Sequence, residues 1–313
     1  RSFFRRFSGK TLLFADMFER LDCIKCFGGD EWMAALAALT MAALILRFPD
    51  LAIKSAREAL FVWGRDIVPS LFPYMVLCKT LSSRLKKSRI PSVPLVLTLG
   101  LLGGSPSGAA MISAASDTMS RRQCVFLSAL TGTISPMFFL STLRTWGFSQ
   151  SICIRLLSAH WIGACFAAFC AWRFESSYKI GSNPTVRKDL QMASPIADSV
   201  QAVLGVGGCI VFFSVVASCI SCVFSFPSEW SRASFQAMLE IAGGIHALSL
   251  TDTITFQTAV CMAGLMGFGG ISILTQNHLF LKSCGIAKKQ LFVFAFLRAV
   301  GSTFSMALLL QFM

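Results

Sequence analysis

An apolar stretch that runs from Leu95 to Met119 is interrupted in its middle by Gly103-Gly104-Ser105-Pro106-Ser107-Gly108. Backbone N–H and C=O groups at bilayer depth cannot be left facing lipid, so an irregular segment there must be covered by protein or line a watery cavity. Secondary transporters build their substrate sites at broken helices near the middle of the membrane. This hexapeptide is therefore the first place in the sequence to look for function.

The composition is that of a membrane protein. The chain has 313 residues, of which 55% are hydrophobic and 14% are charged, and its mean hydropathy is +0.67. Soluble domains carry about 25% charged residues, so this chain has too few polar groups to cover a soluble surface. We predict an all-α, polytopic membrane protein with a cytoplasmic or interfacial appendage over residues 1–31 and one transmembrane domain over residues 32–313.

The net charge of +13 has two explanations that can hold together. The first is an excess of Lys and Arg in cytoplasmic loops, which also attract anionic lipid, and the second is an anionic substrate. No nucleic-acid partner is expected. The spacing of the twelve cysteines and three histidines matches no zinc site, and no nucleotide fingerprint or nucleophile–base pair is present. We therefore expect neither a cofactor nor an enzyme.

Roughly eight apolar blocks follow a first short membrane helix at 32–47. They are Leu60–Leu81, Val93–Met119, Gln123–Leu143, Ile152–Trp172, Ile196–Phe224, Ala233–Leu250, Phe256–Leu281 and Gln290–Phe312. Clusters of Lys and Arg separate several of these blocks, and the positive-inside rule places such clusters together on the cytoplasmic side. The number of crossings between clusters then decides which blocks span the membrane and which return.

Two blocks are predicted to be re-entrant hairpins. Basic residues lie at both ends of Val93–Met119, so this block should enter the membrane and return, turning at residues 103–108. With Ile196–Phe224 and Ala233–Leu250 taken as two spans, Phe256–Leu281 should also return, and its middle carries a second glycine-rich break at residues 267–270. Each half of the chain then contains one broken block.

That arrangement predicts two internal repeats, at about residues 60–172 and 196–312, of the kind found in transporters. The alternative is that glycine is simply frequent in membrane helices.

Ser105-Pro106 and Ser135-Pro136 are each typical of a helix start, since serine is a favoured N-cap and proline a favoured first helical residue. Helix N-termini present unpaired N–H groups and a positive dipole end, which attract carboxylates and phosphates. The two pairs therefore predict a site that holds an anion between two helix starts. The alternative is that each serine only caps its own helix.

Further candidates lie in the second half. Arg298 is an ionisable residue inside an apolar block, where such residues are functional candidates, and it is the predicted partner of a substrate carboxylate. Gln276 and Asn277 contact either substrate or a neighbouring helix. The predicted binding set is Gly104, Ser105, Pro106, Ser107, Gly108, Ser135, Pro136, Gly269, Gly270, Gln276, Asn277 and Arg298, with Glu240 as an ion or proton site.

Five segments carry a family resemblance: Gly64–Tyr74, Gly104–Ala109, Thr131–Phe139, Leu239–Ile245 and Gly264–Gln276. In this order they resemble the sporulation integral membrane proteins of the YlbJ type, which belong to a wider group with the nucleoside-recognition or Gate domain. The resemblance extends from about Trp32 to the end of the chain. Where the family commonly has an aromatic residue and an asparagine before the two prolines, this chain has Ser105 and Ser135.

The resemblance implies a role in endospore formation, with export of dipicolinate from the mother cell across the outer forespore membrane. It leaves two alternatives, a nucleoside or nucleobase carrier and a non-transporting membrane protein needed for spore maturation. The expected partners are a small anionic substrate and membrane lipids. A homo-oligomer or a complex with other sporulation membrane proteins is also consistent with it.

Overall fold

The computed structural model describes residues 31–85, 92–174, 194–251 and 255–311. The predicted appendage at 1–31 lies outside the described residues except for Glu31. All regular secondary-structure elements within these ranges are helical, which confirms the all-α prediction. The described residues fall into two compact units that divide between Phe48 and Pro49. The first unit is described through α1 (Glu31–Arg47).

The second unit contains the remaining helices. They are α2 (Pro49–Val62), α3 (Val68–Leu85), α4 (Ser92–Gly103), α5 (Ser107–Ala115), α6 (Arg121–Thr131), α7 (Leu143–Thr145), α8 (Gln150–Phe174), α9 (Pro195–Val223), α10 (Glu229–Leu239), α11 (Ile241–Ser249), α12 (Phe256–Phe268), α13 (Gly270–Leu281) and α14 (Lys288–Gln311). Two π-helical turns, Trp63–Ile67 and Phe138–Thr142, join α2 to α3 and lead into α7.

Four helical segments in the described residues are long and apolar enough to cross a membrane. They are Gln150–Phe174, Pro195–Val223, Phe256–Cys284 and Lys288–Gln311. A span needs about 20 residues of mainly apolar helix, which each of these provides. The chain is therefore a multi-pass integral membrane protein with four spans by this criterion. The predicted total of roughly eight membrane segments, which includes broken and re-entrant ones, is not confirmed by it.

The first predicted break is confirmed, and the chain turns back there. Helix α4 ends at Gly103 and α5 begins at Ser107; between them Gly104 has a φ of +61° and the Ser105–Pro106 peptide bond is cis. Residues eight apart in a straight helix are separated by about 12 Å. A Cβ added to Gly100, however, would lie 3.5 Å from the Cα of Gly108. Helices α4 and α5 therefore form a closed hairpin.

The second predicted break is present, but the predicted hairpin over Phe256–Leu281 is wrong. Helices α12 and α13 are separated by Gly269 alone, and together they form part of the single 29-residue span Phe256–Cys284. The Gly269 N–H still donates to the Leu265 carbonyl at 2.9 Å. Because the helical hydrogen-bond pattern is kept up to the break and restarts at once, the chain continues in the same direction.

The second hairpin lies elsewhere, between α10 and α11, so the predicted span Ala233–Leu250 is also wrong. Glu240 ends α10 with an extended backbone (φ −139°, ψ 112°), and its carboxylate caps the start of α11. A Cβ on Gly244 would come within 2.2 Å of the Ala237 Cα. The missing side chain at 244 thus allows α11 to fold back in backbone contact with α10.

The two long helices α8 and α14 cross at glycines. A Cβ on Gly301 would lie 2.8 Å from the Cα of Gly163, and small residues at such crossings are the usual means by which membrane helices approach closely. Two apolar clusters fill the rest of the interior. One includes Phe139, Ile245 and Met266, and the other includes Ile112, Leu127 and Leu281.

Candidate functional site: a cavity between hairpin tips and helix breaks

A cavity of about 70 Å³ lies where the hairpin tips meet the broken helices. One ordered water needs ~10–15 Å³ of such volume, so the cavity has room for roughly five waters or one small solute. Its polar lining consists of Ser70, Ser105, Ser135, Glu240, Ser272 and Gln276. Apolar residues such as Ile67, Phe138 and Ile210 form the remaining wall.

The tip of the first hairpin is docked on the interruption that follows α6. The Ser105 N–H donates to the Thr133 carbonyl at 2.7 Å. A Cβ on Gly104 would lie 2.6 Å from the Ser135 backbone nitrogen, so glycine is required both for the positive φ and for this approach. The Ser105 hydroxyl also donates to Asn277 Oδ1 at 2.6 Å, which links the first half of the chain to the second.

The tip of the second hairpin is docked on the second break in a similar way. A Cβ on Gly270 would lie 3.1 Å from the Ala237 carbonyl oxygen and 3.2 Å from that of Leu239. Glu240 sits at this tip and is 2% exposed. Its carboxylate accepts hydrogen bonds from the backbone N–H groups of Ala242 at 2.9 Å and Gly243 at 2.6 Å.

Four helical segments begin at or beside the cavity. They are α5, the segment that is helical from Pro136, α11 and α13. Each presents the positive end of its dipole and backbone N–H groups that lack a helical partner. Glu240 supplies the negative charge at the start of α11, whereas the other three starts face the cavity through Ser105, Ser135 and Ser272, which are neutral.

Two buried polar side chains support the breaks from the long helices. His160 is the eleventh residue of α8 and Arg298 is the eleventh residue of α14. His160 Nε2 accepts from the Ile134 N–H at 3.2 Å, within the interruption that follows α6. Arg298 donates from Nε to the Gly267 carbonyl at 3.3 Å and from Nη1 to the Ala129 carbonyl at 3.2 Å.

These contacts satisfy backbone groups that the helix breaks leave without helical partners. They also place Arg298 away from the cavity, although it is the predicted partner of a substrate carboxylate. Its guanidinium is bonded to two backbone carbonyls and is not among the residues that line the cavity.

The structure brings four of the predicted residues to the cavity: Ser105, Ser135, Gln276 and Glu240. The others do not line it. They are Gly104, Pro106, Ser107, Gly108, Pro136, Gly269, Gly270, Asn277 and Arg298. Ser107 is 3% exposed, and Gly108 packs against Thr131, whose side chain a Cβ at 108 would meet at 2.7 Å.

Sequence analysis missed two serines of the lining, Ser70 and Ser272. Ser272 lies in the first turn of α13 and accepts from Gln276 Nε2 at 3.1 Å. Its signal is its place in the first turn after the glycine-rich break. Ser70 contacts Thr142 with an oxygen–oxygen distance of 3.0 Å, and its signal is its place between Pro69 and Pro73 in an apolar block.

One curated relative matches over most of the chain. The sporulation integral membrane protein YlbJ of Bacillus subtilis (strain 168) is 24% identical over an alignment that covers 84% of this chain and 78% of that protein. No family model matches the chain, and no solved structure matches it. The wider grouping with the nucleoside-recognition or Gate domain stays a prediction. The motif resemblance itself is confirmed, and the chain is a homologue of the YlbJ sporulation integral membrane protein.

Proposed function

We propose that this chain is a membrane transporter that moves a small organic anion during sporulation, with dipicolinate as the favoured substrate. The observation that carries the proposal is the convergence of helix starts on one small polar cavity. Helix N-termini bind carboxylates through free N–H groups and the dipole, and broken helices in transporters use them in this way. The sporulation role comes from the name of the homologue.

A repeated architecture supports transport. Residues 49–174 and 195–311 each contain one or two opening helices, a hairpin, a broken helix and a long closing helix, in that order. The polar residues His160 and Arg298 occupy the same position in their long helices, as do Gly163 and Gly301. We infer two repeats with these bounds, which replace the predicted 60–172 and 196–312.

The positive-inside rule gives the two repeats opposite orientations. The basic residues Arg121 and Arg122 precede the first broken helix, whereas Lys282, Lys288 and Lys289 follow the second. If all of these lie in the cytoplasm, the first hairpin enters from inside and the second from outside. Inverted repeats of this kind place the substrate site at the repeat interface, where alternating access operates.

The test is uptake of labelled dipicolinate by the full chain reconstituted in liposomes. Ser105→Ala and Gln276→Ala each remove a polar group from the cavity, and we expect uptake efficiency to fall about tenfold or more, because a hydrogen bond to a charged group is worth about 1.5–3 kcal/mol. Ser199→Ala is the matched control, since this buried serine bonds to Pro195 within its own helix and should leave uptake unchanged. Dipicolinate uptake equal to that of empty liposomes would overturn the proposal.

The second candidate is a carrier of nucleosides or nucleobases. It is favoured by the lining itself, which within the described residues contains the carboxyl group of Glu240 and no basic side chain. Serine hydroxyls, an amide and a carboxylate are suited to the hydroxyl and N–H groups of a neutral solute. Uptake of nucleosides, with none of dipicolinate or other dicarboxylates, would establish this alternative. A non-transporting role in spore maturation would give no uptake of either class.

A further inference from the structure

Three polar groups from three parts of the fold border the space over Gly243. A Cβ added to Gly243 would lie 3.0 Å from Glu240 Oε2, 3.0 Å from Gln236 Nε2 and 3.4 Å from Ser214 Oγ. Ser214 belongs to α9, Gln236 to α10, and Glu240 to the tip of the second hairpin. Because residue 243 has no side chain, these groups converge on a volume that one small atom can occupy.

Two of these groups are buried with polar capacity left over. Ser214 is 3% exposed, and its Oγ has no hydrogen-bond partner among the described residues. Glu240 is 2% exposed and accepts two backbone hydrogen bonds, although a carboxylate has about four acceptor positions. None of the ion pairs found in the described ranges involves Glu240. The two backbone N–H groups and the start of α11 compensate only part of this charge, and a buried carboxylate without an ionic partner is unfavourable, so this site favours a positive charge.

We propose that a monovalent cation, either Na⁺ or a proton, binds between Glu240, Ser214 and Gln236. Carboxylate, hydroxyl and amide oxygens are the ligands that hard cations prefer. A rotation of the Gln236 amide by half a turn presents Oε1 in place of Nε2, which completes an oxygen set for Na⁺. A proton on Glu240 instead makes its carboxyl group neutral. Either ligand neutralises the carboxylate.

The cation couples to substrate at the neighbouring cavity, a step that rests on the proposed function. Glu240 lines both places. An ionised Glu240 repels an organic anion, and a cation at this site removes the repulsion. By linkage each ligand then raises the affinity for the other by the same factor. Helix α9 also places the Cys209 thiol near Glu240, whereas α13 contributes the neutral Ser272 and Gln276.

The experiment uses the purified full chain in detergent without substrate. Thermal unfolding is followed over increasing NaCl, with choline chloride holding the ionic strength constant, and then over pH 5.5 to 8.5 in choline chloride alone. We expect the unfolding midpoint to rise with Na⁺ in the first series or with falling pH in the second, because a ligand that binds the native state stabilises it. The series that responds identifies the cation.

The variants test the site directly. Glu240→Gln should abolish the response, and Ser214→Ala and Gly243→Ala should weaken the apparent cation affinity at least tenfold. Gly243→Ala keeps the carboxylate but fills the space, and Gly208→Ala of α9, whose Cβ would meet nothing within 4 Å, is its control.

A wild-type midpoint that responds to neither cation overturns the inference, as does a response that survives in Glu240→Gln. If Glu240→Gln does not fold, an unchanged affinity in both Ser214→Ala and Gly243→Ala overturns it equally. Since no substrate is present, these results are independent of the uptake assay. A cation response without uptake contradicts only the proposed transport, and uptake without a cation response contradicts only this inference.

Discussion

The two glycine-rich stretches, residues 103–108 and 267–270, have opposite effects on the path of the chain. Both contain glycine with positive φ, at Gly104 in the first and at Gly269 and Gly270 in the second. At the first stretch the chain reverses and forms a hairpin. At the second it continues as a single span, Phe256–Cys284.

The difference shows that glycine permits a turn without causing one. A hairpin also needs two helix faces that fit together beyond the turn, and these are present at Gly100 against Gly108 and at Ala237 against Gly244. Across the second stretch the helix restarts after one residue. The turn of the second hairpin is made at Glu240, with no glycine or proline at the tip.

The largest expected effect is a change of membrane side. If α10 and α11 form a hairpin, cysteines introduced at Pro227 and Leu250 lie on one side of the membrane, and a cysteine at Lys289 lies on the other. All three positions are exposed. An impermeant maleimide applied to intact vesicles should label either the first two positions or the third. The positions that are not labelled in intact vesicles should react only after permeabilisation. Labelling of Pro227→Cys and Leu250→Cys from opposite sides would show a span and refute the hairpin.

The next largest effect is on the closure of the second hairpin. Gly244→Ala places a Cβ 2.2 Å from the Ala237 backbone, which side-chain rotation cannot relieve. We expect a loss of about 3 kcal/mol or more of unfolding free energy, at the upper end of overpacking costs. Unfolding in detergent measures it. Gly208→Ala, with open space around it, should instead gain up to about 1 kcal/mol, since alanine is the better helix former. Equal effects of the two substitutions would contradict the backbone contact.

A smaller difference separates the two kinds of break. Gly104→Ala and Gly269→Ala both force alanine into a left-handed conformation, at a cost of about 1–2 kcal/mol. Only at 104 does the Cβ also meet backbone, 2.6 Å from the Ser135 nitrogen, whereas at 269 the nearest atom is an Ile273 side-chain carbon at 3.6 Å. Unfolding should therefore show Gly104→Ala to be less stable than Gly269→Ala by about 1–3 kcal/mol. A larger loss at 269 would mean that the docked tip is not the critical contact.

Local chemistry was sufficient to predict that Ser105 and Ser135 line the cavity. Ser105 and Ser135 stand before prolines at breaks in apolar blocks, and the rule that such segments must line a cavity led to two residues that do line it. The position of the second hairpin could not be predicted, since it depends on a tertiary contact between Ala237 and Gly244. One local signal for a helix start at this position was present. Glu240 is an acidic residue that caps the following helix, and acidic residues are favoured at helix starts.

Arg298 shows a second limit of sequence reasoning. An arginine inside an apolar block requires polar partners, and the sequence is consistent with a substrate carboxylate in that role. Its partners in the structure are the carbonyls of Gly267 and Ala129. Every residue has a carbonyl, so such partners leave no mark in the sequence. His160 likewise bonds to a backbone group, the Ile134 N–H in the interruption that follows α6, and it was missed for the same reason.

The smallest expected effect distinguishes how the two tips are held. Ser105 at the first tip donates to Asn277 in the other half of the chain, whereas Glu240 at the second tip bonds within its own hairpin. A double-mutant cycle with Ser105→Ala and Asn277→Ala should give a coupling of about 1 kcal/mol in unfolding free energy, the net value of one hydrogen bond. The cycle with Glu240→Gln and Asn277→Ala should give a coupling near zero. Coupling in the second cycle as large as in the first would mean that both tips are tied across the repeats, and the first hairpin would then not differ from the second in this respect.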